Sequence, residues 1–130
     1  MKLRARYCWF VLLFLVGIAF AGAGDGGWLS KVPEKARIRP NPLADDLDAA
    51  AAGAKVYAKN CASCHGENAE GKLQRGHYRP NLHSKRVKQA TPGELLWLLT
   101  NGSLRNGMPS WSHFPEPERW QLVSYLKSLH

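Results

Sequence analysis

Apolar residues recur at intervals of three and four over three stretches of this chain, and nowhere do they alternate with period two for long enough to build a strand. In the first stretch Leu47, Ala50, Ala54, Tyr57, Ala58 and Cys61 fall on one face. Asp45, Asp46 and Asp48 precede or open it, where carboxylates cap free N–H groups and complement the helix dipole. The spacing predicts a helix from about Asp46 to Cys61. A second helix is delimited by Thr91-Pro92-Gly93-Glu94, a capping-box pattern with proline at the first helical position. Leu95, Leu96, Trp97, Leu98 and Leu99 make it apolar on nearly all sides, and Asn101-Gly102 closes it. A third helix starts near Pro115 to Pro117 and runs to about Leu129, with Trp120, Val123, Leu126 and Leu129 on its apolar face and Leu122 and Tyr125 beside them. Gly66 to Gln89 is polar and reads as mostly loop, with room for a short turn of helix. Ser103 to Phe114 is a loop containing Met108. The fold class predicted is all-α.

The N-terminal residues have a different pattern. Lys2, Arg4 and Arg6 precede a continuous apolar run from Tyr7 to Phe20, and small residues come next at Ala19, Ala21 and Ala23. That order matches a secretory signal peptide over residues 1–23. Tyr7 to Gly24 also approaches the lower length limit for spanning a bilayer, about 17 residues, so a retained membrane anchor is the alternative. Either way the basic flank predicts export of the rest of the chain to the far side of a membrane. Residues 24–45, with Pro33, Pro40 and Pro42, lack periodicity and read as an extended linker or surface strap. Residues 46–130 remain for one small domain, of a size that often needs a cofactor or metal to hold it together.

Charge narrows the partners. The formal net charge is +8, and loss of Lys2, Arg4 and Arg6 with the leader leaves +5. A modestly basic domain suits an acidic protein partner or an anionic membrane surface. Nucleic acid is disfavoured, because there is no basic helix and no recognition motif. Lys72, Arg75, Arg79, Lys85, Arg86 and Lys88 all lie in the Gly66–Gln89 segment, where they either steer an acidic partner or simply solvate a loop.

Chemistry is concentrated in Cys61-Ala62-Ser63-Cys64-His65. Cys-x-x-Cys-His is the attachment pattern of a c-type haem. One helical turn sets two thiols along one edge, where each can add to a haem vinyl group. The next residue then carries an imidazole toward the iron. A zinc site would need further ligands at comparable spacing, and only His77 and His83 could be pressed into service. A thioredoxin-like pair would need a βαβ context that the pattern lacks. Cys8 lies in the leader and reads as a small apolar residue.

The other axial position has several candidates. Met1 belongs to the leader. Met108 stands in Asn106-Gly107-Met108-Pro109. A lone methionine is usually core filler, yet this one sits among residues that build no apolar face. His77, His83, His113 and His130 are imidazole alternatives, and each reads more simply as a surface or loop residue.

The chain resembles the class I c-type cytochromes, the small bacterial mono-haem kind, over roughly Asp46 to His130. The resemblance rests on Gly53-x-x-Val56-Tyr57 ahead of Cys61-Ala62-Ser63-Cys64-His65-Gly66, then Gly71, Pro80-Asn81-Leu82, the capped helix, Asn106-Gly107-Met108-Pro109, and Trp120 with Tyr125-Leu126. It implies three to four helices wrapped around one covalent haem c. It implies that Gly53 and Tyr57 meet Tyr125 or its neighbours where the first and last helices cross. It implies that the Pro80 carbonyl accepts from His65 Nδ1–H, and that Met108 is the second axial ligand beside His65. The Gln74–Arg79 segment is richer in Arg and His than the family pattern, and the strap is long.

The function expected is one-electron transfer by an exported mono-haem cytochrome with His/Met-ligated iron, a carrier and not itself an enzyme. Trp97, Leu98, Trp111, Leu122 and Leu126 are candidate pocket walls, or else helix–helix packing. Two alternatives remain: a fixed cytochrome subunit of a dehydrogenase or oxidase complex, and a five-coordinate haem catalyst or sensor.

Overall fold

The computed structural model describes residues 27–129. The expected leader, Met1, Cys8 and His130 lie outside them. After a 3-10 turn (Trp28–Lys31) come the helices α1 (Glu34–Arg37), α2 (Leu47–Asn60) and α3 (Ala62–His65). A hairpin of strands β1 (Lys72–Gln74) and β2 (His77–Arg79) comes next, then α4 (Lys85–Gln89), α5 (Pro92–Asn101), a second 3-10 turn (Leu104–Asn106) and α6 (Glu116–Ser128). Among the described residues no helix is long and apolar enough to cross a membrane.

The three helices predicted from periodicity are α2, α5 and α6, and their ends follow from local chemistry. Asp46 caps α2 by accepting the Asp48 N–H at 2.9 Å. At α5 the Thr91 hydroxyl accepts the Glu94 N–H at 3.2 Å while the Glu94 carboxylate accepts the Thr91 N–H at 2.7 Å. These helices enclose the core, in which Tyr57, Leu95, Leu122 and Val123 are the largest fully buried side chains.

The most extensive helix contact is between α2 and α6. Gly53 makes it possible. A Cβ there would lie 2.0 Å from the Gln121 carbonyl oxygen and 2.9 Å from the Tyr125 Cβ. One turn on, the Tyr57 and Tyr125 rings meet at 5.0 Å between centroids with planes tilted by 47°.

Two segments depart from the sequence expectation. The stretch read as mostly loop between Gly66 and Gln89 contains the antiparallel hairpin, with Lys72 paired to Arg79, Leu73 to Tyr78 and Gln74 to His77, ahead of the short helix α4, for which that reading left room. Its strands are three residues each and largely exposed, so no buried face left an alternating signature. The segment before α2, read as a strap without regular structure, carries the first 3-10 turn and α1, and it buries Trp28 and Val32 in the main core.

That segment is fastened to the start of α5. The Arg37 guanidinium pairs with the Glu94 carboxylate and also donates to the Leu29 carbonyl at 3.0 Å. Thr91 Oγ1 donates to the Arg37 carbonyl at 2.7 Å. Glu94 is buried, a costly place for a charge unless it is paired and hydrogen-bonded. Arg37 and the Thr91 N–H meet both needs. Gly93 lets the two chains approach, since a Cβ there would lie 2.0 Å from the Ala36 carbonyl oxygen.

Helix propensity alone makes Gly53→Ala stabilising by about 1 kcal/mol. The Gln121 carbonyl reverses the sign, and a net loss of about 1–3 kcal/mol is expected from the overpacking, read by chemical denaturation. At Ala51, exposed on the same helix, the reverse change to glycine should cost about 1 kcal/mol from propensity alone.

Candidate haem site

Cys61 closes α2 and opens α3, so the motif is a single turn that follows directly on the long helix. The Cys64 and His65 N–H groups donate to the Cys61 carbonyl at 3.0 and 2.9 Å, and the Gly66 N–H donates to Ala62 at 2.9 Å. Gly66, at φ 90°, ends the turn in a conformation that disfavours side chains. The buried Tyr57 hydroxyl then donates to the Gly66 carbonyl at 2.7 Å, tying the motif to the α2–α6 contact. Burial, reinforced by Tyr125, Cys61 and Glu70 nearby, pushes the Tyr57 hydroxyl pKa above its ordinary value and keeps it a donor.

Both motif cysteines are free thiols. Burial, with Cys64 adding to it, pushes the Cys61 thiol up to about 11, so it is protonated at neutral pH. The Cys64 thiol donates to Gln74 Oε1 at 3.4 Å, and Gln74 Nε2 donates to the Ser63 carbonyl at 3.4 Å. The hairpin thus rests on the motif through a residue that no sequence pattern singles out.

The His65 ring is placed from the other side. Its Nδ1 lies 3.0 Å from the Pro80 carbonyl oxygen. A carbonyl can only accept, so Nδ1 carries the proton and Nε2 keeps its lone pair. Burial lowers the His65 pKa, the Pro80 carbonyl works against that, and the Arg79 cation lowers it further. The ring is therefore held neutral, the form a metal requires. Gly71 brings Pro80 this close. Its φ is 75°, a Cβ there would lie 2.5 Å from the Arg79 carbonyl oxygen, and its N–H donates to the His65 carbonyl at 2.7 Å.

Met108 is half-buried against the core at the end of a pinned loop. Ser103 and Met108 exchange backbone hydrogen bonds at 2.8 and 3.1 Å, and Gly102 and Gly107 take positive φ on either side. Arg79, next to Pro80, donates to the Asn106 carbonyl at 2.9 Å, so the segment supporting His65 and the Met108 loop are joined. Of the other candidate imidazoles among the described residues, two are engaged elsewhere. The two His83 ring nitrogens lie 3.1 and 2.7 Å from the Leu129 and Asn68 carbonyls. His113 packs against Trp111 and Phe114, and His77 is exposed at the hairpin. Of the candidate walls, Leu122 and Leu126 are core residues, while Trp97, Leu98 and Trp111 are half-buried against the core.

These residues fit a covalently bound haem. Two free thiols lie one turn apart, the neutral imidazole after them has one nitrogen committed to a carbonyl, and the buried Arg79 Nε has no acceptor among the described residues. Among the described residues, no group of three or more His, Cys, Asp or Glu side chains converges as a bare metal site.

Residues 48–126 match the family described as cytochrome c oxidase, cbb3-type, subunit III. The chain belongs to that family. It is 43% identical over 83 residues to the cbb3-type cytochrome c oxidase subunit FixP of Bradyrhizobium sp. (strain ORS 278), covering 62% of this chain and 27% of that protein. With the CcoP subunit of Rubrivivax gelatinosus the identity is 32%, over 93% of this chain and 49% of the other. The chain thus spans between about a quarter and a half of the length of these relatives. Among solved structures, cytochrome cL of Methylophaga aminisulfidivorans MPT superposes with a TM-score of 0.56 at 26% identity, over 68% of this chain and 58% of that one. The fold is that of a cytochrome c domain, and the cofactor such a domain implies is haem c.

In this cytochrome c domain, Cys64→Ala should leave one vinyl group unreacted and move the alkaline pyridine haemochrome band to longer wavelength. Replacing both Cys61 and Cys64 by alanine should leave no haem on the polypeptide after denaturing electrophoresis. Haem that survives denaturation in the double variant would contradict the assignment.

Proposed function

We propose that this domain carries one electron at a time through a single haem c, as a component of a cbb3-type oxidase assembly. The observation that carries the reading is the His65 Nδ1–H bond to the Pro80 carbonyl, made one residue after the Cys-x-x-Cys pair. The single Cys-x-x-Cys-His in the chain supports one haem per chain. The relatives favour an oxidase subunit over the freely diffusing carrier that the sequence alone put first, since FixP and CcoP are subunits of such oxidases.

When bound, haem c supplies the one-electron Fe(III)/Fe(II) couple. The residues of the chain do the rest. Cys61 and Cys64 would anchor the group as thioethers. His65 would hold the iron through Nε2, and its bond to Pro80 orients the ring and raises its basicity. Met108 would hold the iron from a second side through its thioether, from a loop held shut by the Ser103 bridge. With both held so, methionine–histidine ligation would favour the ferrous state and leave no open position for a substrate. Trp97, Leu98 and Trp111, half-buried against the core, would shield the group from water. The domain boundary we assign is residues 46–130, preceded by the 24–45 strap, with residues 1–23 directing export to the periplasm as a signal peptide or an anchor.

The oxidised protein should show the weak red band of sulfur-to-iron charge transfer and its reduced form should bind carbon monoxide slowly. Met108→Ala should lose that band, lower the reduction potential and bind carbon monoxide rapidly. A high-spin ferric spectrum in the unaltered protein would point instead to the five-coordinate catalyst or sensor.

A further inference from the structure

The loop that carries Met108 keeps its shape by its own bonds. Beside the Ser103–Met108 pair, the Asn106 and Gly107 N–H groups donate to the Ser103 and Leu104 carbonyls at 2.8 and 2.9 Å, and Asn106 Nδ2 donates to Ser103 Oγ at 2.7 Å. At its base the loop is fastened to the body of the domain. The Gly102 N–H donates to the Leu98 carbonyl at 2.7 Å and the Trp111 N–H to the Leu99 carbonyl at 2.8 Å. The tip is different. Leu104, Arg105, Asn106 and Gly107 are all exposed and bury nothing in the core. Among the described residues, the hydrogen bond that ties this tip to another element is the one Arg79 donates to the Asn106 carbonyl at 2.9 Å.

Arg79 works from a fixed base. It is the last residue of β2 and half-buried, and its carbonyl lies against Gly71. The next residue, Pro80, accepts the His65 hydrogen bond, and the Leu82 N–H donates to the Ala69 carbonyl at 2.8 Å. The backbone around Arg79 is thus held on the side of the molecule that supports His65. On the other side Gly107 leaves room for the guanidinium, since a Cβ there would lie 2.7 Å from Arg79 Nη1. Arg79 Nε is buried without an acceptor among the described residues, so the Asn106 bond is what compensates the guanidinium for lost water. Breaking that bond therefore costs more than a surface contact would.

We propose that Arg79 is a positioning residue, a clasp from the His65 side to the tip of the Met108 loop that keeps the Met108 thioether on the iron. The proposal rests on the reading of Met108 as an iron ligand. A soft, neutral thioether holds ferric iron less firmly than ferrous. In the ferric state the attachment of the loop itself then decides how often it lifts away. Closed and open loops are two populations, and the Arg79 bond exists in the closed one alone. Losing a charge-assisted hydrogen bond from that state shifts the balance toward the open loop.

The test titrates the ferric, haem-loaded full chain with imidazole at one pH and follows loss of the red sulfur-to-iron band. Imidazole binds where the loop has released the iron. Thioether and imidazole are both neutral, so their exchange leaves the charge at the iron unchanged. The affinity therefore reads the hold of the loop and not the field of the Arg79 cation. Arg79→Gln should bind imidazole about fivefold or more tightly than the unaltered protein, with an unchanged pyridine haemochrome. Ala51→Gly, at an exposed position on α2, should stay within about twofold, because general loss of stability does not open the loop. An unmoved affinity in Arg79→Gln overturns the proposal. So does a shift in Ala51→Gly as large as that in Arg79→Gln. The unaltered protein gives a second reading by NMR of 15N-labelled arginine in the reduced state. The Arg79 Nη protons should exchange with water far more slowly than those of exposed Arg105. Exchange as fast as at Arg105 overturns the clasp even if Arg79→Gln fails to fold. Absence of the red band from the unaltered protein would sink the Met108 reading and the clasp with it, whereas a normal band with an unmoved affinity sinks the clasp alone.

Discussion

The Pro80 carbonyl can only accept a hydrogen bond, and His65 is the ring that supplies the proton to it. That one bond fixes the tautomer of the imidazole and leaves Nε2 with a free lone pair, while burial and the Arg79 cation hold the ring neutral. Much of the surrounding geometry serves to bring the two groups together, because they are 15 residues apart and belong to segments with little core of their own. Gly71 lets the chain bearing Pro80 come alongside the motif. The hairpin turns that chain around and rests Gln74 on Cys64. Arg79 then reaches across to the loop that holds Met108.

The motif itself is held from below. Gly53 removes the side chain that would part α2 from α6, Tyr57 and Tyr125 pack where the two helices meet, and the Tyr57 hydroxyl reaches the Gly66 carbonyl just past His65. The close helix contact and the placement of the imidazole are therefore two ends of one chain of contacts. The strap before α2 closes a third side, where Arg37 and Glu94 fasten it to the start of α5. A buried charge pair is weak evidence for added stability. Its clearer effect here is to give the strap one position, with Trp28 and Val32 seated in the core.

Much of this is legible in the amino-acid sequence where a local rule applies. The capping box at Thr91–Glu94, the aspartate cap of α2 and the three-and-four spacing of Trp120, Val123 and Leu126 each act over a few residues, and each element stands where its pattern indicates. Cys61-x-x-Cys64-His65 is legible because one turn fixes the relation of its three side chains. The hairpin is not, since Leu73 and Tyr78 alternate toward solvent and leave no burial signature. Trp28 and Val32 are not, since a strap that buries isolated anchors has no period. Gln74 and Arg79 act on groups ten and 27 residues away through side-chain ends, which no local pattern records. The family match adds what neither pattern nor geometry carries, namely that the relatives of this domain are oxidase subunits.

If His65 binds iron through Nε2 while Nδ1 keeps its proton on Pro80, nitrogen NMR of the reduced, haem-loaded protein with 15N-labelled histidine should show it directly. His65 Nδ1 should bear a proton, that proton should be protected from exchange, and the ring should not titrate across the range where free imidazole does. A His65 ring that titrates like a free histidine, or one whose Nδ1 lacks the proton, would refute this mode of ligation.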